Sequence, residues 1–555
     1  MAVPRQKNGR VIIHFDYDCF YASVLEAENP ALKSLPLAIQ QKQIIVTCNY
    51  EARRRGLRKL QLVKEAKKIC PDVVIILGED LTKFRDASKS LYAYLRGFLW
   101  GSKIERLGFD EVFLDVTDMI DYNVALLSHH DLQHSFFCLD REDPTKGFEF
   151  DATRYCGPTY PPSPDATGVD LSDPLSRRLI LGSHLAFHMR MRLDAERGYT
   201  ATVGVSTNKL LAKLVGSVNK PNNQTTLIPP YSVDRDDEGC SSNVTKLMDS
   251  HELGKVPGIG FKTAQKLRTH VLGREPTFQP YVERSQDAQV TVRDVRQFPG
   301  MGPAMLTSIL VGPGTAKDIG VRVWELLHGV DNSEVLEART IPTQISIEDS
   351  YKGLPHNDAV RRELCHLAAS LIRRMRADLT KMDETGSGRL RWLARPRTVR
   401  LSTRLRSPKM PDGSRNYSFM NQRVSRSGPA PSFIFSLDDD IDALATRLVD
   451  ELLLSMFRRS FPARSLEELA LINVAVTNMT DAEPKQNRGQ DISKMFRQEE
   501  MPSTTPTSAV VDAEVFWEES DGEDGTYHHE LCPRCGVSVP YFALAAHAQY
   551  HAAPD

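Results

Sequence analysis

The chain has 555 residues, of which 41% are hydrophobic, and it carries a formal net charge of −2 at pH 7. This length allows roughly three to five domains, and the charge balance of the whole chain neither favours nor excludes nucleic acid as a partner. The nine cysteines are mostly scattered, which excludes a disulfide framework and favours a reducing compartment. The chain has no run of about 18 apolar residues, so we expect no membrane span and no membrane partner.

The first predicted strand, in the segment VIIHFDYDCFYASV, ends in two acidic residues. Asp16 and Asp18 flank Tyr17, and the aromatic residues Phe20 and Tyr21 follow directly. A strand that brings carboxylates to its own end, beside an aromatic surface, is typical of half a metal site next to a substrate pocket.

Five cations follow two short β-branched strands that are predicted within residues 36–50. They are compatible with the solvated end of a helix. Clustered like charges repel one another unless an anion is near, so a triphosphate or a nucleic-acid backbone explains them better. The cations are Arg53, Arg54, Arg55, Arg58 and Lys59.

A second acidic pair, Asp110 and Glu111, lies at the bend of a hairpin predicted over residues 104–116. Neighbours on a regular strand point to opposite faces, so both carboxylates reach one metal cluster only where the strand bends or ends. A charged surface turn is the alternative, but flanking apolar residues such as Phe109 indicate that the turn is anchored in a core. With Asp16, the pair predicts a site for two divalent metals that supports nucleotidyl transfer.

Residues 120–175 have little periodicity and a proline-rich end, which predicts an inserted loop or hairpin. We interpret its histidines His129, His130 and His134 as exposed loop residues rather than a metal site. An amphipathic helix at 179–196, a strand at 201–205 and a helix at 208–218 follow. Lys220 then precedes a proline and is therefore biased towards an extended conformation, from which its ammonium group can reach a phosphate. A surface helix end is the alternative interpretation of this lysine.

The segment KVPGIG is a helix-hairpin-helix signature. Gly258 and Gly260 allow the backbone to approach a phosphate, and the helix that follows offers free N–H groups. The segment PGMGP at residues 299–303 is a weaker repetition of the same pattern.

Residues 361–430 contain 17 Lys and Arg against 5 Asp and Glu, an excess of 12 positive charges. A basic surface of a soluble domain usually carries compensating acids, which this window lacks. We therefore expect it to bind a nucleic-acid backbone, partly through a strand with alternating cations at 397–406.

The composition after residue 480 is polar and rich in Pro, Ser and Thr, which predicts a disordered linker. Near its end, two cysteines separated by two residues and two histidines separated by three residues have the spacing of a tetrahedral zinc site. Residues 536–555 contain no Lys or Arg, so this module is better suited to binding a protein than DNA. The predicted zinc ligands are Cys532, Cys535, His547 and His551.

The motifs HFDYDCFYA, VTCNYEARRRG, RLGFDEVFLD, TNKLLAKL and KVPGIG occur in the order of the Y-family translesion DNA polymerases, which the chain resembles over residues 10–480. The resemblance implies an α+β multidomain, right-hand fold with an antiparallel palm sheet and a disordered tail that carries a small ββα zinc finger. The implied domains are the palm (1–19 and 81–228), fingers (20–80), a helical thumb (229–335), an α/β little finger (342–480), a linker (481–527) and the zinc finger (528–555).

The resemblance also assigns roles to residues. Asp16, Asp110 and Glu111 would be the catalytic carboxylates that hold two Mg²⁺ or Mn²⁺ ions, with the Tyr17 carbonyl as a further ligand. Tyr21 would exclude the ribose 2′-hydroxyl. The nucleotide would also contact Tyr50, Arg53, Lys59 and Lys220, and the template base Gln41, Lys42 and Ile44. The DNA phosphates would contact Gly258, Gly260, Arg397, Arg400 and Arg404.

The implied substrates are primer–template DNA and deoxynucleoside triphosphates, used in low-fidelity translesion synthesis in the nucleus. The zinc module resembles a ubiquitin-binding finger of this family, so ubiquitin or a ubiquitinated sliding clamp is an expected partner through residues 532–551. Gln549 replaces the acidic residue that contacts ubiquitin there. Ile492, Met495 and Phe496 resemble a degenerate sliding-clamp motif.

Two alternatives remain open at this stage. One is a non-catalytic scaffold of the same fold that recruits partners through its tail, and the other is a zinc finger that binds DNA. The metal pattern of the family gives Asp18 no ligand role, although Asp16 and Asp18 would share a face of a regular strand. We therefore predict a break in the strand at Tyr17.

Overall fold

The structure is a computed structural model, and it describes residues 4, 8–128, 130–162, 170–232, 242–274, 289–312, 314–382, 389–406, 423–460, 466–481, 529–531 and 538–540. The chain divides after Ala338 into two compact units, which we call the N-terminal unit and the C-terminal unit. No helix in the described ranges is long and apolar enough to cross a membrane. The finer domain boundaries given above remain predictions.

The N-terminal unit begins with a strand and a helix, followed by a small sheet with strand order β4-β3-β2-β5. This small sheet has a core of its own, in which Ala38, Ile45 and Cys48 are fully buried. The elements are β1 (Ile12–Tyr17), α1 (Phe20–Glu28), β2 (Leu37–Gln41), β3 (Ile44–Cys48), α2 (Tyr50–Arg54), β4 (Gln61–Leu62), α3 (Val63–Ile69) and β5 (Val74–Leu77).

The next segment completes a six-stranded sheet around β1 and covers it with helices. Its elements are α4 (Thr82–Arg96), β6 (Ile104–Leu107), β7 (Glu111–Asp115), α5 (Thr117–Ala125), β8 (Ser135–Cys138), β9 (Gly147–Phe150), β10 (Thr159–Tyr160), α6 (Pro174–Arg197), β11 (Ala201–Ser206), α7 (Lys209–Gly216) and β12 (Gln224–Leu227).

The strand order of this sheet is β10-β12-β11-β1-β7-β6. The strands from β11 to β6 are antiparallel, but β12 pairs with both β11 and β10 in parallel. The expectation of an antiparallel sheet is therefore wrong at this edge. Helix α7 crosses between β11 and β12 and returns the chain in the same direction, which makes the pair parallel.

Alternation along β1 separates its two faces. Ile13, Phe15 and Tyr17 belong to the main core, whereas Ile12, and by alternation His14 and Asp16, lie on the opposite face. Helix α7 packs very closely against β11, the neighbour of β1, because Gly204 has no side chain. A Cβ atom on Gly204 would lie 1.9 Å from the carbonyl oxygen of Ala212.

The region at 120–175 contains the β8–β9 hairpin and is more than a surface loop. Phe137 and Phe150 of this hairpin are buried in the main core, and Phe148 stacks on His188 of α6 at a centroid distance of 4.3 Å. His134 is exposed and lies 3.0 Å from an oxygen of Asp131. His129 lies outside the described residues.

In the described part of residues 242–338, five α-helices follow, and two of them come after glycine-containing hairpins. These helices are α8 (Asn243–Asp249), α9 (Phe261–Leu272), α10 (Val292–Arg296), α11 (Pro303–Leu310) and α12 (Ile319–Leu327).

The largest described sheet of the C-terminal unit is antiparallel, has the strand order β13-β18-β16-β17, and packs against helices through a core of its own. Val399, Leu401 and Val474 contribute sheet residues to this core. The elements are β13 (Gln344–Ser350), α13 (Asn357–Leu379), β14 (Thr380–Met382), β15 (Leu390–Trp392), β16 (Ala394–Leu405), β17 (Arg423–Pro429), α14 (Ile441–Leu448), α15 (Leu454–Ser460), β18 (Leu469–Asp481), β19 (His529–Leu531) and β20 (Ser538–Pro540).

Candidate active site

The predicted carboxylates come together at one end of β1 and β7. These strands are antiparallel neighbours, and Asp16 is the cross-strand partner of Glu111. Asp110 lies in the turn directly before Glu111, and its carbonyl oxygen accepts a hydrogen bond of 2.8 Å from the Tyr17 N–H. Residues about 95 positions apart in the sequence are thus adjacent in the sheet, as the spacing of cross-strand pairs requires.

The strand continues through Tyr17 and ends there. Tyr17 still pairs with Ala201 of β11, and the chain turns at Asp18 and Cys19, where Cys19 has a φ of 48°. The break predicted at Tyr17 therefore lies one residue later. It nevertheless separates the two acidic residues, because the Asp18 oxygens accept hydrogen bonds from Thr202 and Asn222 rather than facing Glu111.

Cations and a histidine surround the two facing carboxylates. The Lys213 ammonium group lies 2.7 Å from Oε2 of Glu111, and Nε2 of His14 lies 3.4 Å from the same oxygen. The Lys220 ammonium group contacts Oδ2 of Asp16. Sequence reasoning proposed Lys220 but missed Lys213 and His14. Their signals were the position of His14 two residues before Asp16 and the helical spacing of Lys213 after Lys209.

The surroundings shift the pKa values of the two carboxylates in opposite directions. Burial raises the pKa of Glu111, but Lys213 and His14 outweigh it and hold that pKa at about 2. Burial raises the pKa of Asp16, Lys220 opposes this effect, and the negative charge of Glu111 adds to it. Two carboxylates that repel each other at one site are the arrangement that a bound cation relieves.

The donor set fits magnesium. Asp16 and Glu111 offer carboxylate oxygens from adjacent strands, and Asp110 is next along the chain, so the potential ligands are the hard oxygens that Mg²⁺ prefers. Among the residues that the structure describes, no group of three His, Cys, Asp or Glu side chains is already arranged around a metal position. Lys213 and Lys220 instead neutralise Glu111 and Asp16.

Aromatic side chains form the wall beside the carboxylates. Tyr21, in the first turn of α1, is 3% exposed. Its ring lies 4.2 Å from the ring of Phe84 on α4 and 6.3 Å from that of Phe109, measured between centroids. Phe109 directly precedes Asp110, so the wall and the acidic turn belong to one packed cluster.

Tyr50 and Arg53 are adjacent at the start of α2. The Arg53 guanidinium lies 4.5 Å from the Tyr50 ring centroid, and its Nε donates to the Cys48 carbonyl at 3.2 Å. Burial raises the pKa of Tyr50 to about 12, and Lys220 is close enough to act on it. These contacts give Arg53 a defined orientation.

The four cations that follow Arg53 in the cluster form two groups. Arg54 and Arg55 bind Glu51 at 2.6 and 3.0 Å, and Arg55 also binds Asp72 at 2.5 Å. Glu51 and Asp72 therefore supply anions near Arg54 and Arg55, so repulsion among the five cations does not by itself require a phosphate, and the predicted phosphate contact remains a prediction. Arg58 and Lys59 are exposed in the loop after α2.

The residues predicted to contact the template base lie at the turn between β2 and β3. Lys42 has a φ of 51°, and its N–H donates to Glu79 at 3.1 Å. The Gln41 side chain donates to the Gly78 carbonyl at 2.8 Å. Ile44 begins β3 and is 9% exposed. These contacts hold the turn against the segment between β5 and α4.

Two hairpins of similar backbone geometry precede α9 and α11. Gly258 has a φ of 85° and Gly300 a φ of 74°, values that favour glycine. In each hairpin the buried residue that follows, Ile259 or Met301, donates its N–H to the carbonyl three residues earlier, at 3.0 and 2.9 Å. The weaker repetition seen in the sequence is therefore a second hairpin of the same kind, and Gly260 is the N-cap residue of α9.

The basic window at 361–430 is partly neutralised by acids outside it. On α13, Arg361 pairs with Asp450 at 2.7 Å and Arg373 with Asp442 at 3.2 Å. The statement that compensating acids are missing is therefore wrong for this helix, because folding brings α14 and the π-helical turn after it alongside. On β16, by contrast, Arg397 is exposed.

Arg400 and Arg404 lie on the face of β16 opposite the core residues Val399 and Leu401. Arg400 donates to the side chain of Gln344 at 2.6 Å. Burial lowers the pKa of Arg404. The negative charge of the nearby Glu348 acts in the opposite direction but does not outweigh burial.

The tail predictions lie outside the described residues. This applies to Cys532, Cys535, His547, His551 and Gln549, and to Ile492, Met495 and Phe496. The described strands β19 and β20 form an antiparallel pair on either side of residues 532–537.

Residues 15–217 match the impB/mucB/samB family, and residues 342–489 match the C-terminal domain of that family. The chain is 33% identical to human DNA polymerase iota over 477 residues, which is 85% of this chain and 52% of the human protein. It is 38% identical to DNA polymerase iota of Drosophila melanogaster over 257 residues (46% of this chain, 30% of that protein). It is 28% identical to DNA polymerase eta of the same species over 285 residues (46% and 30%). The chain thus spans about half the length of the human relative.

Proposed function

The chain belongs to the impB/mucB/samB family of Y-family polymerases, and from that premise we propose that it is a template-directed DNA polymerase that acts in translesion synthesis. The observation that carries this proposal is the acidic site: Asp16 and Glu111 are cross-strand partners, and Asp110 lies in the adjoining turn. A non-catalytic scaffold would gain nothing from carboxylates that repel one another at one buried site.

Asp16, Asp110, Glu111 and the Tyr17 carbonyl would hold two Mg²⁺ or Mn²⁺ ions. Bound there, the ions would lower the pKa of the primer 3′-hydroxyl and neutralise charge on the triphosphate and the pyrophosphate leaving group.

The chain's own residues orient the nucleotide. Arg53, Tyr50, Lys59 and Lys220 bind the triphosphate, and the packed ring of Tyr21 fills the space that a 2′-hydroxyl would need. Gln41, Lys42 and Ile44 lie over the templating base. Support for the Arg53 role comes from its fixed orientation on Tyr50.

DNA is held through its phosphates, which gives affinity without sequence specificity. The hairpins at Gly258 and Gly300 expose backbone N–H groups at the starts of α9 and α11. Arg397, Arg400 and Arg404 provide cations on β16.

The more specific parts of the proposal rest on sequence. We assign the chain an iota-like role, with polymerase eta the next most similar type, a low fidelity of base insertion and a location in the nucleus. The tail would bind zinc through Cys532, Cys535, His547 and His551 and ubiquitin through the folded finger. Ile492, Met495 and Phe496 would contact a sliding clamp.

Primer extension tests the main proposal. The purified full chain is incubated with primer–template, each dNTP and Mg²⁺ or Mn²⁺, on undamaged and damaged templates. The wild type should extend both, the double variant Asp110→Ala with Glu111→Ala should not, and Asp118→Ala, an exposed carboxylate on α5, should match the wild type. An inactive wild type, or an active double variant, contradicts the polymerase function and favours the scaffold.

Zinc content and ubiquitin binding test the tail. The full chain should contain one zinc ion, which Cys532→Ser with Cys535→Ser removes together with ubiquitin binding. Loss of DNA affinity instead of ubiquitin affinity in that variant would favour a DNA-binding finger.

A further inference from the structure

Asp18 is a buried carboxylate that the proposed metal site does not use. It is 5% exposed, and both of its oxygens accept hydrogen bonds. Oδ1 accepts from the Thr202 hydroxyl at 2.7 Å, and Oδ2 accepts from the backbone N–H of Asn222 at 2.8 Å. A buried carboxylate is costly unless hydrogen bonds compensate for its lost hydration, so such a residue usually has a defined task.

Asn222 is the last residue of a loop at residues 219–222 that several hydrogen bonds hold in place. Asn222 has a φ of 43°, and its side-chain oxygen accepts a hydrogen bond of 2.8 Å from the buried Arg190. Arg190 is itself fixed by a bond to the Ala201 carbonyl at 3.1 Å. At the other end of the loop, Asn219 donates to Thr225 at 2.9 Å.

This loop carries Lys220. The Lys220 ammonium group contacts Asp16, and it acts electrostatically on Tyr50 and Glu111. It is therefore placed between the acidic pair and the side chains that the proposed function assigns to the triphosphate. Two residues after Lys220, the backbone N–H of Asn222 donates a hydrogen bond to Asp18, and this bond holds the loop in place.

We propose that Asp18 is a positioning residue for the nucleotide: by holding the 219–222 loop, it places the Lys220 ammonium group against the triphosphate. This inference rests on the proposed polymerase function and extends it to a residue without contact to nucleotide or metal. The two bonds of Asp18 run to Thr202 on β11 and to the loop, which explains why two acidic residues in one short segment have different tasks.

Single-nucleotide incorporation with the full chain tests the proposal. Asp18→Ala should raise the KM for dNTP on the order of tenfold, the effect of losing a hydrogen bond to a buried charge, with kcat and the Kd for DNA nearly unchanged. Asp18→Asn should stay close to the wild type. Its amide oxygen can still accept from Asn222, and its NH₂ can donate to the Thr202 hydroxyl.

The deciding comparison uses the Lys220→Ala background. If Asp18 acts through Lys220, adding Asp18→Ala to Lys220→Ala should not raise the KM further. Ser23→Ala is the matched control. It removes the 2.6 Å bond to the Asp18 main-chain carbonyl but leaves the carboxylate intact, and it should leave the KM unchanged.

Other outcomes would overturn the inference. A full additional rise in KM on top of Lys220→Ala, or a loss of kcat at unchanged KM, would show that Asp18 acts elsewhere. An Asp18→Asn variant as impaired as Asp18→Ala would give the charge itself a role. If Asp18→Ala does not fold, Thr202→Val, which removes the hydroxyl that donates to Oδ1 of Asp18 at nearly the same volume, must raise the KM and lose that effect beside Lys220→Ala.

An inactive wild type contradicts the polymerase function itself, whereas an active wild type with an unaltered Asp18→Ala variant contradicts only the positioning role.

Discussion

The charge of Glu111 depends strongly on its neighbours. It faces Asp16 across the sheet, yet Lys213 and His14 keep its pKa near the bottom of the usual range, at about 2. Lys213 is only 18% exposed at its side chain, so solvent screens this pair weakly. The site is therefore preorganised with one carboxylate firmly ionised.

We predict that Lys213→Met destabilises the metal-free N-terminal unit by on the order of 3 kcal/mol at pH 7, because it leaves a buried carboxylate without its cation. Since the folded pKa of Glu111 lies below its ordinary 4.5, its stabilisation is complete above pH 4.5 and is lost as the pH falls towards 2. Urea unfolding at several pH values, with a chelator present, should show the difference between the two proteins shrinking below pH 4.5. A difference that does not change with pH would contradict this account of Glu111.

Sugar selection is predicted to depend on Tyr21 and on the ring behind it. Tyr21→Ala should raise ribonucleotide incorporation strongly, and Phe84→Leu should do so partially, because Phe84 is fully buried against the Tyr21 ring and fixes its position. The readout is the ratio of kcat/KM for a ribonucleotide to that for the matching deoxyribonucleotide. Phe137→Leu, which alters another buried aromatic cluster, is the control. Unchanged discrimination in Tyr21→Ala would remove it from this role.

At the scale of elements, the contact between α7 and β11 determines where Lys213 lies. Gly204 and Gly216 face each other, and a Cβ on Gly204 would lie 2.6 Å from the Gly216 nitrogen as well as 1.9 Å from the Ala212 oxygen. These are backbone atoms, so a larger residue can be accommodated only if the helix moves. Such a movement also displaces Lys209 from Glu105.

Gly204→Ala is therefore expected to destabilise the chain by about 1–3 kcal/mol or more and to lower primer extension at least tenfold. Gly101→Ala, at a glycine with open space around it, should change neither property. Thermal unfolding and extension assays measure both effects. A normal Gly204→Ala enzyme would show that α7 can shift without cost.

The arginines of the C-terminal unit should differ in effect according to their partners. Arg397→Gln removes an exposed cation of β16 and should lower DNA affinity and reduce the slope of log K against log salt by about one. Arg361→Gln removes a cation already paired with Asp450 and should have a smaller effect. Equal effects in a DNA-binding titration over a salt series would contradict the division between sheet and helix arginines.

At the scale of the whole molecule, two units have separate hydrophobic cores. Residues 1–338 contain every residue assigned to the two catalytic metal ions and the nucleotide, whereas the basic β16 belongs to the second unit.

A chain that stops at Ala338 is predicted to fold, to add nucleotides slowly, and to bind DNA much more weakly than the full chain. Circular dichroism and extension at high DNA concentration test this prediction. The salt dependence of DNA binding should be shallower than for the full chain. Failure of this fragment to fold would show that the first core depends on the second unit.

Elements that depend on local pattern could be predicted from the amino-acid sequence. Alternation and apolar runs located β1, the hairpin with Asp110 and Glu111, the strand of alternating cations, and the KVPGIG hairpin. These signals are local because strand alternation and glycine turns depend on neighbouring residues. The family motifs then related the segments to a polymerase.

Which charged side chains lie close together became visible only in the folded chain. Lys213 and His14 lie on Glu111, Asp72 lies on Arg55, and acids lie opposite α13, and all of these partners come from distant positions in the sequence. Asp18 shows this most clearly, because its neighbour Asp16 suggested a metal ligand while its oxygens bind β11 and the 219–222 loop. Charge pairing depends on distance in space, and a sequence window cannot measure that distance.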